Sequence, residues 1–325
     1  MHTNYKRIVF FTFIYVTTLF ANNTDFLTTY RTEGIKNIAK MFDKELAHEN
    51  YWKDYLKNID TSFGYYESNK DILACDKSKF TLSLYQKEKN HFKLIKEYSA
   101  FTGKNKGDKI TEGDLRTPIG VYNLVQKLTH VDPFYGPMAF VTSYPNIYDQ
   151  YKGKTGQGIW IHGVPKDQKR DSFTKGCIAI NNKNLESLDQ KIDISKTVLI
   201  INNKSLSKKD LKKSLAHLLA DLYAWRYAWI YNNLNDYLAF YAPEFKRFDG
   251  MDLTQFKKYK TRIFAKREKK HIRFTNINII PYPHTKNIYK ITFHENYRTN
   301  SFTFNGDKVL IAKLTNDKLQ IITEK

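Results

Sequence analysis

Cysteine is nearly missing from this chain: among 325 residues there are two, Cys75 and Cys177. So few exclude a disulfide-stapled scaffold and a cysteine-rich zinc site. The nine histidines show no His-Glu-x-x-His spacing, which argues against a zinc peptidase. No phosphate-cradling loop is present either, because the stretch from Gly103 to Gly107 lacks the full Gly-x-x-x-x-Gly-Lys-Ser/Thr pattern. No metal or cofactor is expected. Beyond the N-terminus no apolar segment is long enough to span a bilayer. Acidic residues are outnumbered, 33 against 53 Lys and Arg, for a formal charge of +20. That balance fits an anionic partner: nucleic acid, an anionic membrane face or an acidic polymer. The lysines are spread along the whole length, as on a solvated basic surface.

What is present at the N-terminus narrows the choice. Lys6 and Arg7 precede an apolar stretch over residues 8–20, followed by Ala21 and the polar Asn22, Asn23 and Thr24. This reads as a secretory signal peptide over residues 1–21, its apolar part shorter than the ~20 residues a spanning helix needs. An exported protein, soluble in the periplasm or peripheral to the membrane, meets little nucleic acid, so the cell wall or an outer membrane face becomes the expected anionic partner. Export would also permit a disulfide between the two cysteines, but their neighbourhoods differ. Cys75 lies in the apolar run Asp71-Ile72-Leu73-Ala74-Cys75-Asp76, which suits a buried strand. Cys177 follows Thr174-Lys175-Gly176 at a turn, where a thiol can do chemistry.

Length and a 41% hydrophobic content allow two modest domains with flanking segments. Residues 22–70 carry Ile35, Ile38, Ala39, Phe42, Leu46, Trp52, Tyr55 and Leu56 near helical spacing, and either a helical cap or a homodimer contact would fit. From residue 71 to 203 the pattern changes to short strands, expected at 80–85, 91–95, 120–124, 159–162 and 197–201, with glycine-rich turns between them. Residues 204–210 form a polar, lysine-rich joint. Beyond it, over 210–325, a helix is expected with Ser207 as N-cap and Leu211, Leu215, Leu218, Leu222, Trp225 and Trp229 on its apolar face. Strands then follow near 272–280, 288–293, 301–304 and 308–314, without internal repeats. The fold class is multidomain α+β.

Chemistry concentrates in Ile159-Trp160-Ile161-His162-Gly163-Val164-Pro165 and in Thr174-Lys175-Gly176-Cys177-Ile178. A thiolate nucleophile needs a base within hydrogen-bond reach, and two residues separated by one loop can meet if their strands are adjacent. Gly176 permits a turn that aims successive N–H groups at one point, the geometry of an oxyanion hole, where each donor is typically worth ~3 kcal/mol. On spacing alone, an inert buried cysteine and a satisfied strand-end histidine fit equally well.

These residues resemble the L,D-transpeptidase (YkuD-like) family, which places His-Gly at a strand end and a Ser/Thr-His-Gly-Cys turn before the next strand. The likeness extends through Gly107-Asp108-Lys109, through Glu112-Gly113-Asp114-Leu115-Arg116-Thr117-Pro118-Ile119-Gly120 and to Thr197-Val198-Leu199-Ile200. It implies Cys177 as nucleophile, His162 as base and later acid, and the Gly163 carbonyl orienting the imidazole. The N–H groups of Lys175, Gly176 and Cys177 are implied as oxyanion donors. Lys175 replaces the family's usual second histidine and Ala179 an arginine common after the cysteine, so Arg116 or Lys175 is expected to supply the cation for a substrate carboxylate, with Tyr144 a further contact. The Thr-Lys-Gly-Cys variant, with Tyr135-Gly136-Pro137 and Tyr144-Pro145-Asn146, looks like the L,D-carboxypeptidases that trim peptidoglycan stem peptides in helical and curved Gram-negative rods. The resemblance therefore implies removal of a terminal D-alanine from tetrapeptide stems, with an effect on cell shape. Formation of 3-3 cross-links and non-catalytic wall binding are the alternatives. Residues 210–325 resemble an NTF2-like fold, through Trp225, Ala228, Trp229, Tyr237, Leu238, Phe240, Tyr241, Pro243 and Phe245.

Overall fold

The computed structural model describes residues 26–166 and 171–325; the expected signal segment over 1–21 lies outside the described residues. The described part opens with helical residues 26–33, then α1 (Ile35–Glu45) and α2 (Glu49–Tyr55), a 3-10 turn at Leu56–Asn58 and the short strand β1 (Tyr65–Tyr66). The middle region follows with β2 (Asp71–Asp76), β3 (Thr81–Glu88), β4 (His91–Phe101), β5 (Gly120–Leu128), β6 (Ala139–Thr142), α3 (Ile147–Tyr151), β7 (Trp160–His162), β8 (Ile178–Ile180), α4 (Asn182–Asp189) and β9 (Thr197–Asn202). The last third comprises α5 (Lys212–Ile230), α6 (Leu234–Ala239), α7 (Leu253–Ala265) and the strands β10 (His271–Pro281), β11 (Ile288–Arg298), β12 (Thr303–Thr315) and β13 (Lys318–Glu324).

Strands β2 to β9 close a barrel in the order β2-β3-β4-β8-β7-β6-β5-β9. Most neighbours are antiparallel, but β2 pairs parallel with β9 and β7 pairs parallel with β8. The unbroken burial of β2 has a direct cause. Leu73 and Cys75 point into the barrel with Leu84, Tyr98 and Leu199, while Ile72 joins Val198, Ile200, Tyr282, Ile311 and Ile322 where the barrel meets the C-terminal domain. A strand covered on both faces reads as a continuous apolar run. The two cysteines form no disulfide with each other, and burial pushes the Cys75 thiol up to about 12, which makes it a packing residue.

The C-terminal sheet runs β1-β10-β11-β12-β13, so its first edge strand is contributed by Tyr65 and Tyr66, ahead of the barrel (Tyr65↔Ile279). The N-terminal helices follow the same allegiance. Trp52 donates its indole N–H to the Leu46 carbonyl at 2.7 Å and stacks on Tyr223 of α5 at 5.3 Å, and Asp43 pairs with Arg226 at 2.7 Å. Trp52, Leu56 and Tyr65 share one core with Leu215, Trp225, Phe274 and Phe293. Of the two readings open for residues 22–70, their buried face serves as a cap on the C-terminal domain.

Two expectations need correction there. Helix α5 starts at Lys212 behind Leu211, without a side-chain cap, so Ser207 is not its N-cap; Leu211 is itself buried and packing sets the start. The runs at 301–304 and 308–314 are one strand, β12, which turns through Asn316 and Asp317 into β13, an element the hydrophobic pattern did not suggest. Both turn residues have positive φ, 51° and 59°, the conformation a two-residue hairpin requires and one that Asn and Asp tolerate.

Candidate active site

His162 is the last residue of β7 and Cys177 the residue just before β8. The parallel register sets Ile161 against Ile178 and His162 against Ala179, which brings the strand end carrying the imidazole beside the strand start carrying the thiol. His162 is buried, and its Nδ1 lies 2.7 Å from the Gly163 carbonyl oxygen. A carbonyl accepts only, so Nδ1 carries the proton and Nε2 the lone pair, the tautomer a general base needs. The Tyr135 ring meets the imidazole edge-on at 4.9 Å, and the Tyr135 carbonyl accepts the Gly163 N–H at 2.8 Å.

The sulfur of Cys177 is half-buried. The Trp160 N–H approaches it at 3.4 Å and the Gly158 carbonyl oxygen lies at 3.4 Å. The turn before it is tied by Thr174, whose hydroxyl donates to the Cys177 carbonyl at 2.7 Å and accepts from the Gly176 N–H at 3.0 Å. Gly176 has φ 139°, and a Cβ there would press on the Arg116 carbonyl, so both backbone and space call for glycine.

A cleft of about 460 Å³ opens over these groups, lined by Asp132, Tyr135, His162, Phe173, Lys175 and Cys177 among others. The structure thus brings His162, Gly163, Lys175, Gly176 and Cys177 together. Gly176 enters with its N–H already engaged by Thr174. Two expected substrate contacts fall elsewhere. Tyr144 is a core residue, buried against Tyr122 at 5.9 Å with its hydroxyl on the Thr155 carbonyl at 2.9 Å. A tyrosine beside Pro145 at the end of a strand gave no sign of which way its ring would turn. Arg116 is not among the residues that line the cleft: its carbonyl backs the Gly176 turn and its half-buried side chain lies near Gly107.

Several residues that hold the site escaped the sequence reading. Asn182, the first residue of α4, accepts the Val164 N–H at 2.8 Å and donates to the Val164 carbonyl at 2.9 Å. Its Oδ1 fills the space a Cβ on Gly163 would need, which explains the glycine after the histidine. Behind the cysteine turn, the buried Lys77 ammonium donates to the Gly107 and Thr117 carbonyls, and desolvation lowers its pKa to about 8. Lys109 pairs with Asp114 at 2.9 Å, and Lys154 bridges Asp108 at 2.7 Å and Asp149 at 2.8 Å. Asp114 is partly desolvated, but the N–H groups of Ile110, Arg116 and Thr111 and the Lys109 ammonium hold it down at about 2. The lysine-rich stretch from 103 to 117 is therefore folded on charge pairs. Charge alternation this irregular has no period to read.

A second cavity, of about 200 Å³, lies in the C-terminal domain among Trp229, Tyr259, Lys260, Glu295, Tyr297 and Lys308. Lys260 is buried with its ammonium 4.6 Å from the centre of the Trp229 ring, and desolvation lowers its pKa to about 8. Glu295, also buried, is raised to about 7 by desolvation.

A thiol and a correctly oriented imidazole on paired strands of a closed barrel define a cysteine enzyme of acyl transfer. Residues 70–200 match the L,D-transpeptidase catalytic domain family, and residues 217–325 match the Cds6 C-terminal NTF2-like domain. Among solved structures, the helical cell shape determining protein Pgp2 from Campylobacter jejuni is 41% identical, with a TM-score of 0.78 over 86% of this chain and 99% of that one. A point mutant of the same protein gives a TM-score of 0.80 at 41% identity, over 87% and 99%. Bd1075 from Bdellovibrio bacteriovorus, 24% identical, shares the fold with a TM-score of 0.66 over 82% of this chain and 97% of its own. Among curated proteins no relative was found. The chain belongs to the L,D-transpeptidase (YkuD) family, in the form that carries a C-terminal NTF2-like domain.

Proposed function

We propose that the protein is a peptidoglycan L,D-carboxypeptidase that removes the terminal D-alanine from tetrapeptide stems and leaves tripeptides. The observation that carries this reading is the pairing of β7 with β8, which sets His162 and Cys177 at one cleft. His162 Nε2 takes the thiol proton, and the thiolate attacks the carbonyl that joins the L-centre of diaminopimelate to D-alanine. The oxyanion is held by the N–H groups of Lys175 and Cys177, while Gly176, whose N–H is bonded to Thr174, supplies the turn. Collapse breaks the amide, His162 returns the proton to the leaving amine, and D-alanine departs. Water then gives its proton to His162 and attacks the thioester, releasing the tripeptide and restoring the thiol. Lys175, exposed at the cleft rim, is positioned to meet a substrate carboxylate.

Water as the acceptor is favoured by the Thr-Lys-Gly-Cys variant. A role in cell shape follows from the name of the Campylobacter jejuni relative, and action on the wall places the enzyme outside the cytoplasm, in line with export by the N-terminal segment. The described residues contain no helix long and apolar enough to cross a membrane. The aromatic cavity around Lys260 and Glu295 is suited to orienting a glycan or stem peptide. Self-association through residues 22–70 would have to use what the cap leaves exposed, such as Leu27 and Phe42, and light scattering of the protein decides it.

The test is incubation with disaccharide tetrapeptide and with intact sacculi, followed by separation of muropeptides by mass. Tripeptide without new dimers, and only with Cys177 present, is the expected result. New 3-3 linked dimers would make the enzyme a cross-linking transpeptidase, and an active, folded Cys177→Ala protein would sink the thiol mechanism altogether.

A further inference from the structure

A cavity of about 840 Å³, larger than the cleft at the cysteine, opens elsewhere in the molecule. It lies between α1 and the end of the C-terminal sheet, and its walls carry Lys36, Arg226, Lys269, His271, Arg273 and Arg298. These come from five places in the chain: α1, α5, the segment before β10, β10 itself and β11. Among the described residues one carboxylate lines it, Asp43, and it is already occupied, since it pairs with Arg226 at 2.7 Å and accepts the Tyr231 hydroxyl at 3.0 Å. Lys36, Lys269, Arg273 and Arg298 have no ion pair among the described residues. The strand register sharpens the point. His271 stands directly opposite Arg298, and Arg273, two residues along the same face of β10, stands opposite Asn296. Arg273 and Arg298 thus share one side of the paired strands with no carboxylate opposite either, an arrangement that suits an anion supplied from outside the fold.

The rest of the lining says which kind of anion. Ile35, Ala39, Ile230 and Tyr231 give the cleft an apolar side, and Ile35 is 65% exposed. Helix α1 buries only Ile38 and leaves Met41 and Phe42 exposed beside Lys36, Lys40 and Lys44. Exposed apolar side chains interleaved with lysines on one helix suit the boundary between headgroups and acyl chains. A purely polar polyanion would have no use for them. We propose that this cleft and the exposed side of α1 form a docking site for an anionic phospholipid surface, with a headgroup phosphate seated among Lys269, Arg273 and Arg298. The site is separate from the cysteine cleft, and it stands whatever acceptor resolves the thioester.

The experiment is co-sedimentation of the full chain with vesicles of phosphatidylglycerol and phosphatidylethanolamine, and with vesicles of phosphatidylcholine alone. Binding to the anionic vesicles only is expected, falling at least tenfold in the Arg273→Glu, Arg298→Glu protein, with turnover of soluble muropeptide unchanged. The neutral Arg273→Gln, Arg298→Gln pair should fall in the same direction, which guards against a folding defect of the reversed charges. A protein with the same charge change outside the cleft, at the exposed Lys208 and Lys286, should bind within about twofold of the parent. Equal losses in the cleft and the distant variants would reduce the effect to net charge and overturn the proposal. So would absence of vesicle binding, or binding that depends on these arginines with soluble polyphosphate or an oligonucleotide but not with vesicles.

Discussion

Asn182 is not among the residues that line the cysteine cleft, yet its two hydrogen bonds to Val164 hold the segment whose first carbonyl orients His162. It is a positioning residue. Asn182→Ala should lower kcat by at least about tenfold while KM changes little, since the lost geometry serves the transition state more than binding. Its signature is a displaced pH dependence of Cys177 alkylation, because the imidazole that activates the thiol is no longer fixed; an unmoved profile with lower activity would indicate general loosening instead. Tyr144→Phe removes a hydrogen bond to the Thr155 carbonyl and should cost about 1 kcal/mol of stability with turnover kept, as read by denaturant titration beside a muropeptide assay. At this scale the cysteine and histidine that meet at the cleft were legible, because a strand-end histidine and a Gly-Cys turn are local features. Asn182 was not, since its partner lies 18 residues away across the crossover, and a polar residue that follows a strand reads first as a helix start.

Strands were the most legible elements of the barrel, because alternation and glycine turns are written into short windows; β2 was recognisable even as an unbroken apolar run. Less legible was where the N-terminal helices belong. Their apolar spacing announced a buried face but not its partner, which is α5, more than 150 residues later in the chain. Trp52 is the anchor of that contact. Trp52→Ala should destabilise the C-terminal domain by about 3–5 kcal/mol, the usual cost of emptying a large buried aromatic site, and raise proteolysis between α1 and β1. The barrel should keep its thiol reactivity. The β12–β13 turn went unnoticed because Asn-Asp is a less insistent turn signal than Asn-Gly, although both residues adopt positive φ there.

At the scale of the whole molecule, buried charges make stability depend on pH. Glu295 is raised from 4.5 to about 7, so the folded protein keeps this proton where the unfolded chain has released it. Its contribution is present below pH 4.5 and is lost as pH rises to about 7, an effect of about 3 kcal/mol. Lys260 is lowered from 10.5 to about 8 and acts in the opposite sense, so stability recovers between pH 8 and 10.5 as the unfolded chain loses its own proton. Glu295→Gln should therefore flatten the fall in Tm between pH 4.5 and 7 and leave the alkaline limb in place; calorimetry across that range checks it.

The strand β1 precedes the barrel but is the edge of the C-terminal sheet, opposite β13. The barrel is in effect a guest within a host that starts near residue 35 and finishes at the last strand. Tension applied between the two ends of the chain would be borne by the host, through the contacts of α2 with α5 and the shear of β1 against β10. The barrel would stay slack until those gave way, so an enzyme pulled at its ends would keep its catalytic geometry longest.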